Sequence, residues 1–103
     1  MLVKVTRDRR VEFEERDNFR AFKVVVEGRR EDLETVRCLL QHTAELADAD
    51  TAWVFEAELR RWPDVANDPA WQQSFSAMIE KARPHGWIDD ARQAIKAHVE
   101  WVG

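Results

Sequence analysis

Residues 51–62, TAWVFEAELRRW, satisfy two periodicities at once, and the choice between them decides the fold. With period two, Trp53, Phe55, Ala57 and Leu59 line one face, while Glu56, Glu58 and Arg60 line the other. With period 3.6, Phe55, Leu59 and Trp62 align, and Asp50 or Thr51 stands where a cap belongs. The Ala-Glu-Leu-Arg-Arg run favours helix by propensity, and no glycine or proline interrupts the chain from Arg29 to Trp62. The helix reading is therefore adopted, which makes the second half of the chain helical. A fourth strand over 51–59 is the alternative.

Upstream, the first 27 residues read as β structure. The segments LVKV and VEFEE alternate, with Val11 and Phe13 on one side and Glu12 and Glu14 on the other, and TRDRR joins them at hairpin length. NFRAFKVVVE follows the turn signal RDN and is rich in β-branched and aromatic residues. It is apolar on both faces, which suits a central strand or one covered by a partner. After Gly28, a helix is expected from about Glu31, with Leu33, Val36, Leu40, Ala44 and Ala47 on one stripe. Glu31, Asp32 and Glu34 suit the positive end of its dipole.

Downstream, Asp68-Pro69 is a strong helix start, a capping carboxylate followed by proline at the first helical position. Trp71, Phe75, Met78, Ile79 and Ala82 then share a stripe until Pro84 and Gly86 end it. A last helix is expected from about Asp90 to Trp101, because Asp90 and Gln93 match a capping box. The expected fold is α+β: an N-terminal three-stranded antiparallel sheet followed by about four helices packed on one face, in a single domain over 1–103.

Composition narrows the classes. Of 103 residues 45% are apolar, so the chain can bury a core and is expected to be ordered. The lone cysteine, Cys38, allows no internal disulfide. No apolar run approaches the roughly 18 residues of a membrane span, and MLVKVTRDRR lacks the pattern of a secretion signal. A soluble protein of a reducing cytoplasm is the expectation. Net charge is −4 but unevenly spread: residues 1–30 carry nine Lys/Arg against six Asp/Glu, and residues 31–103 carry seven against fourteen. Such asymmetry can orient two chains against each other. It offers no concentrated basic surface for nucleic acid, and Phe19 and Phe22, three apart, would point to opposite faces of a base-stacking strand.

No motif names a reaction. Phosphate loops, nucleophile elbows, HExxH and EF-hand patterns are all missing, and no cofactor is implied. Cys38 and His42, four apart on the first expected helix, are candidate metal ligands, but a single C-x-x-x-H lacks the second ligand pair of a specific zinc motif. His85 sits in the connection between Pro84 and Gly86 and is the candidate acid/base group. His98 falls on the stripe of Ile95, Val99 and Val102, where a histidine packs more often than it reacts. Of five tryptophans, Trp53 falls off its stripe, Trp101 sits at the flank of the last expected helix and Trp87 begins the connection before it, the placement of interface or ligand contacts. These features point to a small interaction or accessory domain, partnered by a second copy or by another protein. The alternative is an enzyme or carrier whose small apolar ligand sits between tryptophans with a histidine as the polar group.

Overall fold

Residues Ala94–Trp101 form the longest strand of the sheet and occupy its middle. A computed structural model describes all of residues 1–103. In chain order the strands are β1 (Leu2–Val5), β2 (Val11–Glu14), β3 (Lys23–Val26), β4 (Ala44–Leu46), β5 (Thr51–Phe55), β6 (Ile88–Asp89) and β7 (Ala94–Trp101). The helices are α1 (Leu33–Leu40), α2 (Glu56–Arg60) and α3 (Pro69–Ala82). The sheet runs β2-β1-β3-β7-β5-β4, with β6 also on β7, and it curls strongly into a half-barrel.

The three-stranded antiparallel sheet with about four helices is thus corrected to a seven-stranded mixed sheet with three helices, one of them a short five-residue turn of chain. Three segments account for the difference. The first is β7, which replaces the expected last helix. Ile95, Ala97, Val99 and Trp101 alternate strictly with Lys96, His98 and Glu100, and the first three of the inward set are at most 3% exposed. A helix would have put His98 into the apolar stripe. The strand sends all three polar side chains outward and lets both backbone edges bond, to β5 on one side and to β3 and β6 on the other. The expected capping box is instead the turn of the β6–β7 hairpin. Asp89 Oδ1 accepts from the backbone N–H groups of Ala91 and Arg92 at 3.1 and 3.2 Å, and Gln93 turns the chain at φ +51°.

The second segment is 51–62, which divides. Thr51–Phe55 pairs antiparallel with β7, and the chain turns helical only at Glu56, so each periodicity describes about half of it. The third is 41–47, where α1 stops at Leu40. Ala44–Leu46 then becomes the edge strand β4, with Ala44 and Leu46 buried and Glu45 exposed between them. Arg37, on α1, donates to the Leu46 carbonyl at 3.2 Å and ties helix to edge.

The N-terminal strands are not a meander. β1 pairs antiparallel with β2 but parallel with β3, so residues 15–22 carry the chain beneath the start of β1. β3 then lies inside the sheet between β1 and β7, which accounts for apolar residues on both its faces. Only Lys23–Val26 of the expected NFRAFKVVVE strand is extended.

Helix α3 starts where Asp68 and Pro69 require, the Asp68 carboxylate accepting from the Trp71 N–H at 3.1 Å. Val36 and Leu40 of α1, Leu59 of α2, and Trp71, Phe75 and Ile79 of α3 join Val3, Val24, Val54 and Val99 in one buried cluster, so all three helices cover the same sheet face. Trp71 anchors its aromatic part, stacked on Phe75 at 4.8 Å and edge-on to Phe13 at 6.0 Å. Burying each such side chain contributes about 1.5–3 kcal/mol.

Candidate functional site

Strand β7 has one interrupted edge, and a cleft opens there. β6 covers the edge at Ala94 and Ile95, and β3 covers it from His98 onward. Between them no strand lies against Lys96 and Ala97, and the Lys96 N–H is met only by the Trp87 carbonyl, at 2.8 Å. The resulting cleft has a volume of about 660 Å³, within the size range of small-molecule sites. Its floor is apolar, formed by Ile95 and Ala97 of β7 and Ala82 of α3, each at most 8% exposed.

One wall is the connection 15–22, which is irregular but firmly held. The Met1 ammonium donates to the Asn18 carbonyl at 2.9 Å, and the Trp71 indole to the Arg16 carbonyl at 2.8 Å. Burial is the main cause that pulls the Met1 ammonium below its ordinary pKa of 8.0; Glu15 opposes the shift and Lys23 adds to it. From this connection Phe19, Arg20 and Phe22 line the cleft. Their strand-face placement is corrected here: outside a strand, residues three apart reach the same cavity, so the two phenylalanines share it.

The opposite wall is the end of α3 and the turn after it. Met78 and Lys81 come from the helix, and a 3-10 turn, Arg83–His85, then leads into Gly86. Gly86 has φ +77°, a conformation that glycine adopts without steric cost. That reversal lays the His85 imidazole against the Trp87 indole, centroids 4.5 Å apart and planes 20° from parallel. Trp87 remains 48% exposed, one of two large apolar side chains so exposed.

Three of the candidate residues therefore meet at this cleft: His85, Trp87 and His98. His98 is exposed on the outward face of β7, opposite Thr51 of β5 and Lys23 of β3, which corrects its placement on a buried stripe. Neither His85 nor His98 is hydrogen-bonded or ion-paired to a carboxylate, so a general-base arrangement lacks its orienting partner. Trp53 and Trp101 lie elsewhere. Trp53 faces outward on β5 beneath the Arg92 guanidinium, 5.4 Å from its ring centre, and Arg92 in turn pairs with Glu45 at 2.7 Å. Trp101 is half-buried and donates to the Ala49 carbonyl at 2.6 Å. Cys38 is exposed on α1, but the helix ends two residues before His42, and no group of three or more His, Cys, Asp or Glu side chains is placed to hold a metal ion.

The cations of the cleft had no signal in the sequence. Arg20, Lys81 and Lys96 come from three separate segments and form no motif, and a net charge of −4 conceals them. None of the three takes part in an ion pair, whereas nine of the sixteen Lys/Arg residues do. The carboxylate at the rim, Asp50, is already held by Arg30 at 2.8 Å.

No family model, curated protein or solved structure matches the chain. No helix is long and apolar enough to cross a membrane.

Proposed function

We propose that the chain binds a small molecule with an apolar body in the cleft between α3, the connection 15–22 and β7. The observation that carries this reading is the interrupted edge of β7, which opens a cavity of about 660 Å³ onto buried Ile95 and Ala97 and surrounds it with aromatic and cationic side chains. An apolar floor with a few polar groups at the rim is the common build of a ligand site. Binding, rather than catalysis, is the reading supported by two histidines without carboxylate partners. One exposed cysteine and no disulfide suit a reducing cytoplasm.

The test is an amide and indole chemical-shift titration of the whole chain with a panel of aromatic and acyl compounds. Shifts should concentrate at Trp87, Ala97 and His98. A panel that moves none of these resonances ends the proposal.

A second reading, self-association, rests on the open ends of the half-barrel. Strand β2 has no strand partner on its outer side, and such an edge is a template for pairing with another chain. Light scattering at micromolar concentration should then give twice the 12.1 kDa chain mass, and a monomer would end this reading.

A further inference from the structure

We infer that the cleft selects planar aromatic anions, a ring carrying a carboxylate or phosphate, over neutral compounds of the same shape. This rests on the binding reading above and adds the charge and form of the ligand. The charge follows from Arg20, Lys81 and Lys96, which surround one cavity in a chain of net charge −4. Each lacks an ion-pair partner and each is exposed, while Asp50 is occupied by Arg30. Three cations with no anion of their own make the cleft a local positive field against a negative whole.

The form follows from the rings. Phe19, Phe22, His85 and Trp87 all line this one cavity, and flat side chains favour flat ligands through offset-stacked and edge-on contacts. The Trp87 indole, stacked on His85 and 48% exposed, is the platform best placed to receive one. Arg20 on the connection, Lys81 on α3 and Lys96 on β7 line the cavity from three separate elements, so an oxyanion on the ring has more than one cation to meet.

Calorimetric titration of the full chain with 1-naphthoate, 1-naphthyl phosphate and the neutral 1-naphthalenemethanol decides the matter. At least one of the two anions should bind about tenfold more tightly than the alcohol, the effect expected of a few exposed charge pairs. Raising the salt should shrink that preference. Whichever anion binds better identifies the oxyanion that the site takes. The double variant Lys81→Gln, Lys96→Gln removes no hydrogen bond or ion pair, so it should keep the fold and the affinity for the alcohol while losing most of the preference, with Arg20 alone remaining. Equal affinity for the alcohol and both anions overturns the charge selection and leaves the binding site standing. A preference undiminished in the double variant overturns it as well. No binding of any of the three overturns the binding reading itself.

Discussion

The Trp71 indole N–H donates to the Arg16 carbonyl at 2.8 Å, joining the middle of the buried aromatic cluster to the connection that walls the cleft. Trp71→Phe keeps most of the ring packing but leaves that carbonyl unpaired. It should cost about 1–2 kcal/mol, read as a lower urea midpoint at unchanged slope. Trp71→Ala should cost about 3–5 kcal/mol. The Phe variant should also loosen residues 15–22, seen as faster amide exchange there than in β5.

Arg60 serves as a bracket between α2 and α3. Its guanidinium donates to Glu56 at 3.0 Å, to the Gln72 side chain at 2.8 Å and to the Ser76 hydroxyl at 2.8 Å, and lies 4.9 Å from the Phe75 ring centre. An ammonium cannot span this forked set of acceptors. Arg60→Lys is expected to lose about 1–2 kcal/mol, measured by chemical denaturation, and retention of full stability would show that the bracket carries little.

Two backbone positions should respond with opposite signs. Gly86 at φ +77° has open space around its Cα, so Gly86→Ala meets conformational strain alone and should lose about 1 kcal/mol. Gln93 already bears that strain at φ +51°, and Gln93→Gly should gain about 0.5 kcal/mol. Thermal midpoints of the two variants should therefore lie on either side of the parent.

Acid should weaken the β6–β7 turn. The Arg92 side chain is the main cause that holds the Asp89 carboxyl below its ordinary 3.8, and the Arg92 backbone N–H assists. A carboxyl depressed in the folded chain adds stability above its ordinary value, and that contribution fades as pH falls through the depressed value. Asp89→Asn should lower the melting temperature at pH 6, and the gap to the parent should close as pH drops well below 3.8. A gap independent of pH would mean that the carboxylate charge plays no part.

How much of this was legible depends on whether one periodicity could win. Asp68-Pro69 followed by Trp71, Phe75, Ile79 and Ala82 admits only a helix, and a helix stands there. In 94–101 the inward set Ile95, Ala97, Val99 fits period two, while Ile95, Val99 and Val102 fit period 3.6. Local propensity, with two alanines, a lysine and a glutamate, then tips the balance to helix. What reverses it is non-local: the open edges of β3 and β5, which lie 68 and 39 residues before Ala94 at their ends, Val26 and Phe55. Residues 15–22 show the converse, since Phe19 and Ala21 look strand-like but have no neighbour to bond. Of the candidate site, His85, Trp87 and His98 could be singled out as residue types. The cations could not, because what unites Arg20, Lys81 and Lys96 is a gap between two strands.

The place of β7 sets the timing of assembly. The half-sheets β2-β1-β3 and β5-β4 are joined strand to strand through it alone, yet it is the last of the seven strands to be synthesised. At roughly 5–20 residues per second, β3 waits several seconds on a ribosome with one flank unpaired. The nascent chain is thus most exposed to misassociation while β7 is still to come, and the cleft, whose floor is that same strand, can exist only once synthesis has passed Trp101.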